Sequence, residues 1–382
     1  MKNTIIITPT SSRKQTEAAA DVIKLGIDIH KGKYVVVRQI DQQGPQSPQR
    51  FSPAKFLVWV DKHRGLARRV VTCYEADCFG YVLHRKLEAL GIENLVVRPR
   101  NWDEYGHRVK TDKRDARELC SHLDRYLAGN KKALCVVRVP TKQEEQERSL
   151  SRQRYTLAKE LRRLQNVGTS TGLYYDIELE APWWKPKVFE VLTQTLPGFL
   201  LKILAPYQSI LIVVDRELRE ATAREERTAN RLLPVGLGTL TASVLDREFV
   251  DYERFTNRGQ VASFTGLCPT EASSGNTRIQ GSINKHGNPR IRHMLLEAIW
   301  RMFFFQPDYQ PILYWKERMM NEPFTAAKKK KMAVAIARQF SVDWWRIQTG
   351  RMTAETVGLR LAYPAAYSTK ALRQGRISKV YA

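Results

Sequence analysis

The sequence is short of cysteine, of acidic charge and of long apolar runs, and each shortage narrows what the protein can be. Its five cysteines, Cys73, Cys78, Cys120, Cys135 and Cys268, are spread thinly over 382 residues. Their number is odd and no two have the CxxC spacing of a zinc ribbon. Reduced thiols in a cytosolic protein are the plain reading. No apolar run approaches the roughly 18 residues of a membrane span, and the opening MKNTIIITPTSSRKQ has too short an apolar stretch for a signal peptide. A cytoplasmic location, without a membrane partner, is therefore expected. Acidic residues are outnumbered, 39 against 63 basic ones, for a net charge of +24. Such an excess repels itself unless a polyanion shares the surface. Nucleic acid is the first candidate, because neutralised phosphates release counterions and give affinity. An anionic membrane is the rival, but the charge is spread over the whole chain and no amphipathic anchor stands out.

What is present suits a globular chain of two or three domains, with 43% hydrophobic and 27% charged residues. Residues 1–21 lack periodicity and read as a loose extension. From Val22, VIKLGIDI and YVVVRQI flank the polar turn HKGK and predict an antiparallel hairpin. PAKFLVWVDKHRG predicts a helix, RRVVTCYE a strand, GYVLHRKLEALG a helix and NLVVRP a strand. TDKRDARELCSHLDRYLAG predicts a helix with Thr111 as N-cap and Gly129 as stop. Strands alternating with helices after a hairpin indicate an α/β domain over residues 22–138.

Residues 139–232 predict a helical hairpin or coiled coil. Leu150, Leu157, Leu161 and Leu164 form one stripe, read as a core or dimer seam ahead of a dedicated binding surface, and APWWKPK interrupts the helices. A mainly helical region follows over residues 233–350, opened by the turn LPVGLGTLTASVL. Gly236 and Gly238 could offer backbone N–H groups to a phosphate there, although glycine turns also serve packing alone. Helices over 290–305 and 332–349 are apolar, so Phe303, Phe304, Phe305, Trp344 and Trp345 are expected in a core. Lys328 to Lys331 and the tail, residues 351–382, are basic.

Four carboxylates stand out in this basic chain. Asp28 closes an apolar strand, and Glu75 closes another. Asp112 and Asp115 lie three apart at a helix start, on one face, where the helix dipole favours negative charge. If the four converge, their repulsion is relieved by divalent cations. Mg²⁺ takes carboxylate and phosphate oxygens together, and a pair of ions can clamp both oxygens of a phosphoryl transfer. The bland alternative stays open: Asp112 and Asp115 could cap a helix beside Lys113 and Arg114, and Asp28 could pair with Lys31. His30 and Asp77 are candidate auxiliaries.

GIDIHKGKY, CYEADCFGY and RVKTDKRDARELC, followed by LPVGLGTLTASVL and FTGLCPTEASSGNTRIQGSINKHGNPRIRHMLLEA, resemble the DEDD-type insertion-sequence transposases. The N-terminal domain of that family is similar to Holliday-junction resolvases of the ribonuclease H-like fold. The resemblance covers most of residues 22–350. It implies that Asp28, Glu75, Asp112 and Asp115 bind metal, Mg²⁺ or Mn²⁺ in its place. It implies that Ser274 in ASSGN attacks a DNA phosphodiester and holds a covalent intermediate. It further implies a structured bridge RNA that pairs with donor and target DNA, and homodimers that join as a tetramer at synapsis.

The residues themselves support the serine in part. Serine is a weak nucleophile that needs a base, a metal or a cationic setting. No acid lies between Ala272 and Leu296, whereas Arg278, Lys285, Arg290 and Arg292 do, as candidate nucleic-acid contacts. Gly275, Gly281 and Gly287 would let backbone approach a phosphate, and His286 is the one nearby candidate base. There are departures from the family pattern: Ser273 adjoins Ser274, Asn284 stands where serine is common, and Asp77-Cys78 replaces small residues. The competing readings are a junction-type metal-dependent endonuclease with water as nucleophile, and a nucleic-acid-binding descendant without catalysis.

Overall fold

Alternation along one strand sets the architecture of the first half of the chain. In the computed structural model, residues 20–99, 111–180, 182–226, 231–274, 277–323 and 325–363 are described. The chain divides into two units, Met1–Val139 and Pro140–Ala382. In the first, β1 (Ala20–Ile29) is the middle of a five-stranded sheet of order β3-β2-β1-β4-β5. β2 (Tyr34–Ile40) pairs antiparallel with β1, and β3 (Gln49–Phe51) antiparallel with β2. β4 (Ala67–Glu75) runs parallel to β1, and β5 (Glu93–Val97) parallel to β4.

Side chains alternate across a strand. Ile23, Leu25 and Ile27 of β1 accordingly share a core with Phe56 and Val60 of α1 (Pro53–Lys62) and Leu83 and Leu87 of α2 (Val82–Ala89). Lys24, Gly26 and Asp28 take the opposite face, under α3 (Asp112–Leu127). α3 runs antiparallel to β1. Asp124 in its last turns pairs with Lys24 near the strand's start. Midway, Gly26 is the contact point: a Cβ there would lie 2.4 Å from both the Ala116 carbonyl oxygen and the Cys120 amide nitrogen. Only glycine lets the helix backbone settle on the strand, and that approach delivers the first turn of α3 to Asp28. The predicted hairpin, helices and strands are all found, with β1 starting two residues before Val22. Thr111 occupies the N-cap of α3, but its side chain makes no capping hydrogen bond.

In the second unit, α4 (Lys142–Tyr174) opens with a reciprocal cap. The Glu144 amide donates to Thr141 Oγ1 at 3.2 Å, and the Thr141 amide donates to Glu144 Oε2 at 2.8 Å. After α5 (Pro186–Thr195), α6 (Gly198–Glu226) packs back on α4 around Leu164, Trp183, Leu204 and Leu211. Trp183 occupies a slot made by Gly168, where a Cβ would come within 2.0 Å of the indole. Of the expected leucine stripe, Leu164 is buried, Leu157 and Leu161 are half-buried and Leu150 is exposed. Leu161 and Leu164 are thus spent within the chain, in the core shared with α6. The expectation of no long apolar segment needs correction: Gly198–Glu225 of α6 is long and apolar enough, by length and composition, to cross a membrane. All of its charges but Lys202 follow Val214, so the charged second half of the helix masks the apolar first half.

The remaining elements are β6 (Leu233–Pro234), α7 (Thr239–Phe249), α8 (Arg258–Thr265), β7 (Pro269–Ser274), β8 (Thr277–Ile283), α9 (Pro289–Phe305), α10 (Gln310–Asn321), α11 (Ala326–Gln348) and β9 (Leu361–Ala362). The helices enclose one apolar core that includes Leu245, Phe249, Leu295, Met302, Phe340 and Trp344. Trp345 is buried as expected, but the phenylalanine run is not. Phe303 and Phe305 are half-buried and Phe304 is 82% exposed. Three consecutive helical residues point about 100° apart and cannot share one face; Met302 takes the inward place. The tail from 364 onward lies outside the described residues.

Candidate acidic metal centre and serine hairpin

The C-terminal edge of the parallel strands gathers the acids. Ile27 of β1 and Tyr74 of β4 are the last registered pair, so Asp28 and Glu75 follow side by side on adjacent strands. The first turn of α3 adds Asp112 and Asp115 on the face that carries Asp28. All four are half-buried. Asp28 Oδ2 lies 3.1 Å from His30 Nε2, which lies 3.5 Å from Asp112 Oδ1. Lys33 Nζ donates to Asp112 Oδ2 at 2.8 Å.

One ligand atom each from Asp28, His30 and Asp112 lies within 4.8 Å of the others. Among the described residues the structure therefore brings Asp28 and Asp112 together and adds His30, which the sequence offered only as an auxiliary. Glu75 and Asp115 border this group without entering it, and Asp77 is exposed outside it. Burial pushes the Asp28 carboxyl above its ordinary range; His30 pulls it down, while the charges of Asp112 and Asp115 push it further up. Asp112 moves the other way, lowered chiefly by its hydrogen bond from Lys33. A half-buried carboxylate facing two more carboxylates gains from a divalent cation. Oxygen donors with one imidazole fit Mg²⁺ or Mn²⁺.

Ser274 belongs to the second unit. It ends β7, and its backbone pairs with Thr277 of β8. The two residues between them lie outside the described residues, as do the side chains of 272–278, Ser274 and Arg278 included. Beyond the hairpin, two of the glycines expected to admit phosphate make contacts within the chain. A Cβ on Gly281 would come within 2.4 Å of Thr270 Oγ1, and one on Gly287 within 2.1 Å of the Gly266 amide nitrogen. Gly236 likewise is buried against Phe305 and Met302, so it serves packing; Gly238, at the N-cap of α7, is half-exposed. Lys285 is exposed at φ +58°, with its carbonyl accepting from Arg292 Nη1 at 3.2 Å. His286 is exposed.

Arg290 lies over the Tyr155 ring at 5.5 Å, and burial, then the neighbouring Arg152 charge, lowers its pKa. It borders a buried polar cluster that the sequence did not announce. Arg152 of α4 donates twice to Glu248 of α7, at 3.0 and 2.9 Å. Asn288 donates to the same carboxylate at 2.8 Å, while its own Oδ1 caps α9 through the amides of Arg290 and Ile291. The Glu248 side chain is 1% exposed. Burial raises its pKa, but the bonds from Arg152 outweigh that and hold the carboxyl below its usual range. Arg152 and Glu248 stand 96 positions apart, so no local pattern could pair them.

Residues 234–312, from β6 into α10, match the family described as Transposase IS116/IS110/IS902. The chain is 30% identical over 308 residues to the transposase y4rJ of Sinorhizobium fredii (strain NBRC 101917 / NGR234), covering 72% of this chain and 76% of that one. It is 22% identical over 341 residues to the transposase for insertion sequence element IS1328 of Yersinia enterocolitica, covering 86% and 97%. With the transposase for insertion sequence element IS1111A of Coxiella burnetii it shares 23% over 303 residues, 75% and 79% of the two chains.

Proposed function

The chain belongs to the IS116/IS110/IS902 family of transposases, an enzyme family, and from that premise we propose that it cuts and exchanges the DNA strands of an insertion sequence through a covalent serine–DNA intermediate. The observation that carries the reading is the meeting of Asp28 and Asp112, acids 84 positions apart, with the Asp28 carboxyl raised by burial and by its acidic neighbours. Evolution of a stable fold gives no reason to hold such groups together; phosphoryl transfer does. The sheet order β3-β2-β1-β4-β5 supports a ribonuclease H-like frame for the domain.

In this reading Asp28, Asp112, Asp115 and Glu75 hold Mg²⁺, with His30 beside them. The ion supplies positive charge to the phosphate oxygens. Ser274 Oγ forms a bond to phosphorus as the bond to the deoxyribose oxygen breaks. The serine gives up its proton and the departing hydroxyl takes one up, so the phosphodiester is conserved for rejoining. Arg278, Lys285, Arg292 and the half-exposed Gly238 contact nucleic acid, and a bridge RNA selects the donor and target sites. Homodimers pair into a tetramer at synapsis, which lets the acids of one protomer serve the serine of another. The reading includes a cytoplasmic location, where bacterial DNA is accessible.

The test uses supercoiled DNA carrying the element's ends, with RNA transcribed from its flank. Wild type should give recombined product and a detergent-stable protein–DNA adduct. Ser274→Ala should lose both, and Asp28→Ala should lose both. Cutting that survives Ser274→Ala, without adduct, would establish the water-using junction nuclease in place of the recombinase. Wild-type activity unaffected by RNA removal would remove the guide.

A further inference from the structure

One face of α4 meets the first turn of α9 in a cluster of arginines. Arg148, Arg152 and Tyr155 follow at spacings of four and three residues, so they share a face of α4. Arg290, in the first turn of α9, lies over the Tyr155 ring at 5.5 Å, and the His293 ring stands edge-on to that ring at 6.3 Å. Glu248 is the carboxylate of the group, and Arg152 occupies both of its oxygens, at 3.0 and 2.9 Å. The charges of Arg152 and Arg148 nevertheless both reach Arg290. Arg290 Nε is buried with no hydrogen-bond partner among the described residues, and half-buried Arg148 makes no salt bridge among them. Like charges held together and a buried N–H left unmet both cost stability. An apolar side chain would cover Tyr155 with neither cost. An anion with several oxygen acceptors removes both, and the guanidinium fork matches a phosphate.

We infer that Arg148 and Arg290 form a phosphate notch for the backbone of the substrate DNA, at the base of the hairpin that carries Ser274. The inference rests on the proposed function for its substrate and adds a binding site to it. The base of the hairpin is closed beside the notch. The Asn284 amide donates to the Cys268 carbonyl at 2.8 Å, and the Asn288 amide to the Phe264 carbonyl at 2.7 Å. Asn288 also caps α9 and bonds to Glu248, so notch and hairpin base are tied together. β8 has seven residues, about 23 Å at ~3.3 Å each. A DNA strand advances about 3.4 Å per nucleotide, so one leaving the notch reaches the hairpin tip in roughly seven nucleotides. That proximity favours the DNA under attack over a guide RNA as the occupant. The arginines divide the work. Arg152 is spent on Glu248 and acts as a positioning residue, while Arg148 and Arg290 keep donors for phosphate oxygens.

The experiment is equilibrium binding by fluorescence anisotropy over a salt series, on full-length Ser274→Ala protein in EDTA, so that no bond is made or broken. The probes are labelled duplex carrying an element end and, separately, labelled RNA from the element's flank. Each phosphate contact adds about 0.9 to the slope of log affinity against log salt. Arg290→Gln and Arg148→Gln should each flatten the DNA slope by about one, and the two together by about two. Over a fourfold rise in salt, the affinity lost by each single variant should be about 3.5-fold smaller than that lost by the parent. Arg290→Lys, which keeps the charge, should keep the slope. RNA slopes should be the same in every variant. DNA slopes unchanged in both glutamine variants would overturn the notch. RNA slopes that flatten with the DNA slopes, or in their place, would move the site to the guide and overturn the assignment to DNA. Arg148 makes no salt bridge, so its substitution tests the notch even where Arg290→Gln disturbs the packing on Tyr155. The notch and the chemistry fail separately. Flattened DNA slopes beside a wild type that forms no adduct sink only the serine, and adducts beside unchanged slopes sink only the notch.

Discussion

Replacing Asp28 by asparagine should stabilise the ion-free protein at neutral pH while abolishing its response to Mg²⁺. Asp28 and Asp112 each place an oxygen within 4.8 Å of the other. Two unit charges at that distance repel by about 3.5 kcal/mol at an effective dielectric near 20, and by about 0.9 kcal/mol in water. Asp112 is 38% exposed and bonded to Lys33, so screening and neutralisation bring the net cost toward the lower figure. A gain of about 1 kcal/mol is expected, worth roughly 2–6 °C in the melting of the first unit. The pH dependence follows from the direction of the shift. Asp28 holds its proton more tightly folded than unfolded. Its destabilising contribution is therefore absent below its unfolded value of 3.8 and grows as pH rises through the folded value. The variant's advantage should be present at pH 7 and vanish below that unfolded value. Calorimetry in EDTA, then in saturating MgCl₂, reads both effects. Wild type should gain melting temperature on adding Mg²⁺ and the variant should not. A variant that melts below wild type in EDTA at neutral pH would show that the Asp28 charge is a net stabilising partner of its neighbours. The case for a strained, ion-seeking site would then fail.

Gly26→Ala should cost about 3 kcal/mol or more, because the added Cβ meets helix backbone that cannot step aside. The same lift of α3 should erase the Mg²⁺ shift, and an unchanged melt would show that the helix can yield. Arg152→Ala should cost roughly 3 kcal/mol by leaving the buried Glu248 carboxylate without its opposite charge, held only by the bond from Asn288, measured by denaturant unfolding of the second unit. Because the folded Glu248 pKa is depressed, its stabilisation is present above the unfolded value of 4.5 and is lost as pH falls through the folded value. A melting-temperature profile across that acidic range should be steeper for wild type than for Arg152→Ala. Phe304→Ser should change stability by no more than about 0.5 kcal/mol, since the ring is 82% exposed; a large loss would place it in a contact within the chain.

Much of the first unit was legible because local rules decide it. The β1 pattern VIKLGIDI alternates into two faces, and the helix starting at Thr111 has one apolar face with its acids in the first turn. The pairing of Asp28 with Asp112 followed only from the resemblance of the motifs, since no periodicity spans 84 positions. The phenylalanine run of α9 shows the limit of composition. Its apolarity was plain, but which ring faces water depends on helix phase. The glycines after Ser274 show another limit. Gly281 and Gly287 do mark close backbone approaches, but to Thr270 and Gly266 of the same chain.

The sequence by itself made a polyanion the expected partner, through +24 of net charge, and set the alternation of β1 and the apolar face of α3, through spacing. Those properties are additive along a chain and need no partner element. Tertiary structure alone decided that α3 touches β1 at Gly26, that Arg152 neutralises Glu248, and that His30 stands between Asp28 and Asp112. Each of these is a contact between distant segments, fixed by which surfaces exclude water together. A carboxylate's energy depends on the charges and the water within a few ångströms, and only the folded chain says which those are.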